Sequence, residues 1–191
     1  MNYGFVVGNG ESRKNFDLNL LLTKGPIYGC NALYRDFTPT VLFARDTPMI
    51  QEIKENYVGI FTKYVKPYIH YNNNKIKIPH NIVLAGSVAL WCMCNEYLNK
   101  LDHIFLLGFD PFPSLEDGGK NNIYKNTSNY GSNSESASPR VSQCIADLNF
   151  IFRQFKQLFS FTLVGQFSPD LMGCEFMGYQ DFKAILNLKN Y

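Results

Sequence analysis

Apolar positions along this chain form short runs that alternate with longer amphipathic stretches. The short runs predict β-strands at Tyr3–Val7, Ile27–Cys30 and Val41–Ala44, and each run is closed by a polar or glycine-bearing segment. Apolar residues at helical spacing follow Pro48, and proline suits the first turn of a helix. We therefore predict a helix over residues 48–60.

The middle of the chain carries its most hydrophobic segments. Residues 86–100 are apolar on nearly every side, which predicts a buried helix with Ser87 as its N-cap. Residues 103–110 form an apolar strand that ends in Gly-x-Asp, a pattern typical of a central parallel strand covered on both faces. After Pro139 the spacing predicts another helix, then a last strand over residues 161–164 and a smaller C-terminal element.

The order of these elements predicts the fold class. Residues 61–80 alternate irregularly around three consecutive asparagines, which predicts a strand, a turn and a second strand. Elsewhere strand, helix and strand recur, so the class is α/β. We expect a single Rossmann-like domain over residues 1–191, with a mostly parallel sheet and helices on both faces. A chain of 191 residues, 46% of them hydrophobic, suffices for such a core, since a domain of this size buries about 70% of its unfolded surface.

Charge and cysteine content exclude several classes of function. Eighteen basic and sixteen acidic side chains give a formal net charge of +2, too balanced for a nucleic-acid-binding protein. The five cysteines show no spacing suited to zinc, which indicates reduced thiols and a cytoplasmic protein. Neither a secretory leader nor an apolar run of about 18 residues is present, so we expect no membrane span. The oligomeric state, including a homo-oligomer, is left open.

A long polar segment interrupts the pattern at residues 111–139. It is rich in proline, glycine, asparagine and serine and has almost no aliphatic residues. A loop of this length within a compact domain is usually functional or disordered, so we predict a lid. Tyr124 and Tyr130 stand out in it as isolated aromatic residues, and exposed positions on the loop surface are the alternative for both.

Polar and glycine residues follow the predicted strands, at the edge where ligands bind in doubly wound sheets. The helix start at Gly86-Ser87 faces the same edge and suits an anion. The predicted site therefore contains Gly8, Asn9, Gly10, Ser12, Asn31, Asp46, Gly86, Ser87, Gly108 and Asp110. Simpler roles compete with this one: a tight turn for Gly8 and Gly10, a helix cap for Asp46 or Ser87, and a turn for Asp110.

The order of these motifs resembles that of the bacterial sialyltransferases of glycosyltransferase family 42. It is also similar to the 6-hydroxymethylpterin diphosphokinase-like Rossmann proteins, and the run from Cys30 to Phe37 resembles members encoded by bacteriophages. The resemblance covers roughly the first 110 residues. The matching motifs are Val7-Gly8-Asn9-Gly10-x-Ser12-x-Lys14-x-x-Asp17, Cys30-Asn31-x-x-Tyr34, Gly86-Ser87 and Leu107-Gly108-x-Asp110.

The resemblance implies roles for individual residues. In the sialyltransferases the matching asparagines bind the cytidine nucleotide of the donor, which implies that role for Asn9 and Asn31. The serine that matches Ser87 contacts the donor as well. Lid tyrosines contact the donor phosphate, a role open to Tyr124 or Tyr130.

Two departures from the family leave the reaction open. The family's general base is a histidine after the lid, and this chain has no histidine after residue 110. The family holds an asparagine where this chain has Asp46, and a carboxylate near a phosphate needs a cation between them. Asp46 therefore suggests Mg²⁺ as a cofactor and favours the diphosphokinase-like branch.

Three hypotheses follow. The first is a glycosyltransferase-like enzyme that uses a nucleotide or nucleotide-sugar donor and an unidentified acceptor, with Asp46 or Asp110 as the base. The second is magnesium-dependent phosphoryl or diphosphoryl transfer, with Asp46 and Asp110 near the metal. The third is a nucleotide-binding protein without catalysis. The order of the motifs favours the first.

Overall fold

A parallel β-sheet forms the centre of the molecule, which is a computed structural model describing residues 1–63, 68–71, 74–114, 121–130 and 137–188. In this part of the chain the strands are β1 Tyr3–Val7, β2 Ile27–Cys30, β3 Val41–Ala44, β4 Phe61–Lys63, β5 Tyr68–Tyr71, β6 Asn74–Lys77, β7 His103–Leu107, β8 Ser160–Val164 and β9 Glu175–Met177. Seven of them form one sheet in the order β4-β3-β2-β1-β7-β8-β9, and every neighbouring pair is parallel. Strands β5 and β6 form a separate antiparallel pair.

Helices cover both faces of the sheet. The α-helices are α1 Thr47–Asn56, α2 Ala85–Glu96, α3 Ala137–Phe155 and α4 Tyr179–Ile185, and short 3-10 helices lie at Glu11–Arg13, Leu18–Leu21 and Asn31–Arg35. Successive strand residues point to opposite faces. Val6 of β1 accordingly packs in the core under α2 and α3, and its neighbours Phe5 and Val7 pack in the core under α1 and α4. The fold is α/β and Rossmann-like, as predicted.

The order of the strands creates a crevice at the centre of the sheet. From β1 the chain extends outward through β2, β3 and β4, and it then returns to the other side of β1 to form β7. The chain therefore leads from β1 to β2 on one side and from β7 to β8 on the other. Ligands of doubly wound sheets bind in such a crevice.

Several predicted boundaries agree with the structure and others are corrected. Strands β1, β2 and β3 have the predicted bounds. Helix α1 ends at Asn56 and not at residue 60, and β7 ends at Leu107 because the next residue, Gly108, has a φ of +65° and leaves the strand conformation. The predicted last strand is followed by another, β9, whose three residues are too short a pattern to detect.

Helix α2 begins at Ala85, one residue before the predicted segment, and Ser87 is not its N-cap. Leu84 holds the N-cap position, and Ser87 lies within the first turn. The cause is a tertiary contact: the buried Asp147 carboxylate of α3 accepts hydrogen bonds from the backbone N–H groups of Val83 and Leu84, each at 3.0 Å. A carboxylate from another helix thus holds the backbone at the N-cap, while the N–H groups of the first turn keep no acceptor within the helix.

Helices long and apolar enough to cross a membrane are absent from the described segments.

Candidate functional site

A cavity of about 190 Å³ lies at the carboxyl edge of the sheet, where β1, β2, β7 and the N-terminus of α2 meet. Its described lining is Gly8, Asn9, Gly10, Cys30, Leu84, Gly86, Ser87, Gly108, Phe109, Asp110, Phe112, Asn121, Asn122, Arg140, Val141 and Cys144. Most of the residues predicted from the strand ends are therefore brought together here. Asn31 and Ser12 do not line the cavity: Asn31 directly follows Cys30, and Ser12 is bonded to Asp110.

The β1 loop, residues 8–12, packs directly against the backbone that follows β7. The N–H of Gly8 donates to the carbonyl of Leu107 and the N–H of Gly10 to the carbonyl of Gly108, both at 2.8 Å. A Cβ at Gly8 would overlap the carbonyl oxygen of Gly108, and one at Gly10 would lie 2.7 Å from the same atom. The two glycines are thus required by this backbone contact, whether or not a ligand is bound.

Asp110 holds the β1 loop through Ser12. Its Oδ1 accepts from the Ser12 hydroxyl at 2.5 Å, and its Oδ2 accepts from the Ser12 N–H at 2.8 Å. Burial raises the pKa of Asp110, against the opposing effect of these hydrogen bonds. Asp110 is the one carboxylate among the described lining residues.

Some buried side chains that line the cavity have polar atoms without hydrogen-bond partners. Ser87 is 1% exposed and Asn9 is 9% exposed, and both line the cavity. Among the described residues, neither the Oγ of Ser87 nor the Oδ1 of Asn9 has a hydrogen-bond partner, and the same holds for the Oδ1 of Asn31. Asn31 also has a φ of +51°, which is uncommon outside glycine. Buried polar atoms normally have partners, so the two such atoms on residues that line the cavity, in Asn9 and Ser87, indicate a ligand site.

The amide of Asn9 has a defined orientation. Its Nδ2 donates to the carbonyl of Cys30 at 3.3 Å and to the hydroxyl of Tyr130 at 3.4 Å. Because a carbonyl only accepts, the nitrogen must face Cys30, and the Oδ1 remains available as an acceptor. The ligand group that meets it must be a hydrogen-bond donor.

The N-terminus of α2, in contrast to Asn9 Oδ1, offers hydrogen-bond donors to a ligand. The first intrahelical hydrogen bond runs from the N–H of Val88 to the carbonyl of Leu84, so the N–H groups of Gly86 and Ser87 have no acceptor within the helix. Arg140 also lines the cavity. A helix N-terminus together with an arginine favours an anionic group at this side.

Burial disfavours the thiolate form of the two cysteines of the cavity. Burial raises the pKa of both Cys30 and Cys144 to about 12. Both are therefore neutral thiols at physiological pH, and a thiol reacts as its thiolate.

Arg13 is a structurally important residue that the sequence pattern does not distinguish from its neighbours. It is 2% exposed, and its Nε donates to the carbonyl of Gly8 at 2.7 Å. Its Nη2 donates to the hydroxyl of Tyr124 at 2.9 Å, and its Nη1 lies 3.4 Å from Asp36 Oδ2. In the sequence Arg13 lies in a polar run beside Lys14, which is exposed, and no periodicity separates the two.

The two predicted lid tyrosines both point inward. Tyr124 is buried and does not line the cavity, and its hydroxyl donates to Asp36 while accepting from Arg13. Tyr130 accepts from Asn9, and burial raises its pKa to about 12. Of the predicted lid, residues 115–120 and 131–136 lie outside the described residues, but the 121–130 segment borders the cavity through Asn121 and Asn122.

Asp46 lies apart from the cavity. It is exposed at the N-cap position of α1, and its side chain makes no capping hydrogen bond. It does not line the cavity. Groups of three or more histidine, cysteine, aspartate or glutamate residues that would hold a metal ion are absent from the described residues.

A larger groove of about 770 Å³ lies beside β6 and the C-terminal half of α2. None of the unpartnered buried polar atoms of the described residues belongs to its lining, which includes Ile76, Pro79 and Trp91. We therefore assign the candidate site to the smaller cavity. No protein-family model, curated protein or solved structure matches the chain.

Proposed function

We propose that this protein binds a nucleotide or nucleotide-sugar in the cavity between β1 and β7 and acts as a glycosyltransferase-like transferase. The observation that carries the proposal is the pair of buried, unpartnered polar atoms on the cavity wall, Asn9 Oδ1 and Ser87 Oγ. An unpartnered buried polar atom costs about 1–3 kcal/mol in the free protein. A ligand that bonds to both atoms removes this cost.

The residues that line the cavity favour a ligand that carries a hydrogen-bond donor at one end and an anionic group at the other. Asn9 Oδ1 needs a donor, such as a hydroxyl or amino group of a nucleoside or sugar. A phosphate dianion supplies only acceptors, and it suits the N-terminus of α2 near Arg140 instead. Nucleotides and nucleotide-sugars carry both kinds of group.

The volume of the cavity limits how much of such a ligand is enclosed. At about 190 Å³ it is smaller than the ~300–1,000 Å³ of sites that enclose drug-sized ligands. It accommodates one part of a nucleotide. The remainder extends past the 121–130 segment, where an acceptor would enter.

Asp110 is our candidate for the catalytic base. It lines the cavity, and burial raises its pKa toward the range in which a carboxylate is an effective base. In the proposed reaction its carboxylate takes the proton of the acceptor hydroxyl. The acceptor oxygen then bonds to the anomeric carbon of the sugar, and the nucleotide leaves with the electron pair of the broken bond.

A second candidate function is nucleotide binding without catalysis. It is favoured by the two hydrogen bonds from Ser12 that already engage both oxygens of Asp110. Magnesium-dependent phosphoryl transfer is less favoured, because Asp46 is exposed and does not line the cavity. In either of the favoured cases we propose a cytoplasmic protein, of the kind that bacteriophages encode.

Calorimetric titration tests the proposal. Cytidine, uridine and adenine mono- and diphosphates are titrated into the wild type and into Asn9→Ala, with and without Mg²⁺. We expect at least one nucleotide to bind the wild type and to bind Asn9→Ala about tenfold more weakly. The matched control is Asn149→Ala, since the Asn149 side chain bonds to Asp170 and Met172 and does not line the cavity. Absence of binding at millimolar nucleotide, or equal binding by Asn9→Ala, refutes the proposal.

Transfer is tested separately from binding. Incubation of the protein with nucleotide-sugars and a panel of hydroxyl-bearing acceptors should release free nucleotide, and Asp110→Asn should abolish the release. Tight binding without any release of nucleotide supports the non-catalytic alternative.

A further inference from the structure

We infer that Arg13 is a positioning residue that couples the β1 loop to closure of the 121–130 segment through Tyr124. The starting observation is a charged side chain that is buried. A buried guanidinium is tolerated only where its N–H groups have acceptors. Arg13 meets this need with one acceptor from the β1 loop, one from the 121–130 segment and one from Asp36.

The contact with the β1 loop lies next to the ligand site. Arg13 Nε holds the carbonyl of Gly8 at 2.7 Å, and the following residue, Asn9, presents the unpartnered Oδ1 to the cavity. A Cβ at Gly108 would lie 3.0 Å from Arg13 Cδ, so the side chain also packs on the β7 loop. The position of Arg13 thus determines the orientation of the peptide that carries Asn9.

The contact with the 121–130 segment depends on Tyr124. Its hydroxyl is 2.9 Å from Arg13 Nη2, and its ring centroid is 5.8 Å from Arg13 Cζ. The same segment reaches the β1 loop directly, because the N–H of Ile123 donates to the carbonyl of Asn9 at 2.9 Å. If the segment moved away, the buried charge of Arg13 would have one acceptor fewer. The Arg13 side chain would then be held less firmly, and its hydrogen bond to the Gly8 carbonyl would weaken.

A second set of contacts anchors the far end of the segment independently of Arg13. Arg35 Nη1 donates to Thr127 Oγ1 at 2.6 Å, and Arg35 Nη2 donates to the carbonyl of Ser128 at 2.9 Å. Arg35 also forms an ion pair with Glu52 of α1 at 2.6 Å. Removing the Tyr124 hydroxyl therefore weakens one contact of the segment without releasing it.

Amide hydrogen exchange of the free protein tests the coupling. Residue-resolved exchange is measured for Ile123, which reports on the segment, for Gly10, which reports on the β1 loop, and for the β7 amides, which report on the core. In Tyr124→Phe we expect Ile123 and Gly10 both to exchange about fivefold to tenfold faster while β7 is unchanged. Arg13→Lys, which keeps the charge and loses the planar fork, should do the same.

Tyr57→Phe is the matched control. The Tyr57 hydroxyl is buried and has no partner among the described residues, and its ring packs on Tyr34. Its removal should leave the exchange of Ile123 and Gly10 unchanged. Faster exchange of Ile123 alone in Tyr124→Phe, or equal acceleration of the β7 amides, overturns the coupling, because the contact would then be local or merely structural.

A ligand measurement extends the test and rests on the proposed function. With the nucleotide that binds best, Tyr124→Phe should raise the dissociation rate about fivefold, since Asn9 is held less firmly. The exchange measurement needs no ligand, so the two proposals fail separately. If no nucleotide binds and the exchange changes as expected, the proposed function is wrong and the coupling stands.

Discussion

Replacement of Ser87 by alanine should stabilise the free protein and weaken ligand binding at the same time. The hydroxyl is 1% exposed and has no partner among the described residues, and an unpartnered buried polar group costs about 1–3 kcal/mol. The adjacent cavity of about 190 Å³ is large enough for water to solvate the hydroxyl in part. We therefore expect Ser87→Ala to raise the free energy of unfolding by about 1 kcal/mol, the lower end of this range.

This gain is measurable by thermal and urea denaturation. For a chain of 191 residues, about 1 kcal/mol corresponds to a rise in Tm of about 2–4 °C. Binding should change in the opposite direction, because one neutral hydrogen bond contributes about 0.5–1.5 kcal/mol. Its loss raises the Kd of the nucleotide about twofold to tenfold in calorimetric titration.

Ser114→Ala is the matched control for this experiment. Ser114 is also buried, but its hydroxyl donates to Glu11 Oε2 at 3.1 Å. Its removal should lower the free energy of unfolding by about 1 kcal/mol. If Ser87→Ala destabilises the free protein as Ser114→Ala does, Ser87 has a partner there and the reasoning fails. Unchanged affinity would show that Ser87 does not contact the ligand.

Three further substitutions test the remaining parts of the site. Because burial raises the pKa of Asp110 in the folded state, the wild type should lose stability relative to Asp110→Asn as the pH rises from about 4 to 7 in urea titrations. A difference in the free energy of unfolding that is constant with pH contradicts this expectation. Gly8→Ala should lower the free energy of unfolding by about 3 kcal/mol, since the new Cβ overlaps the carbonyl oxygen of Gly108. A loss below about 1 kcal/mol in the same urea titrations would show that the β1 loop separates easily from the backbone after β7. Asp46→Asn should leave both nucleotide affinity and its response to Mg²⁺ unchanged in calorimetry, because Asp46 is exposed and does not line the cavity; a changed magnesium response would restore the metal-dependent hypothesis.

Local sequence was sufficient to predict the elements whose signal lies within a single segment. Strands β1, β2 and β3 were predicted to the residue, because a strand buried on both faces is a continuous apolar run closed by polar or glycine residues. The meeting of Gly8, Ser87 and Gly108 at one cavity was also predicted. That prediction needed only the rule that ligands of doubly wound sheets bind at the carboxyl ends of the strands.

Other features were decided by contacts between distant parts of the chain. The start of α2 depends on Asp147, about sixty positions away, and the burial of Arg13 depends on Tyr124, 111 positions away. Nothing in the run Glu11-Ser12-Arg13-Lys14 distinguishes the buried cation from the exposed one.

Whether the site atoms have hydrogen-bond partners also depends on contacts between distant parts of the chain. Whether the oxygen of Asn9 or Ser87 lacks a partner is a property of everything packed around it. The sequence by itself therefore determined which segments form the sheet and which residues follow its strands. Only the tertiary structure decided which of those side chains are satisfied by the protein and which are left for a ligand, because a hydrogen bond requires both of its groups in place.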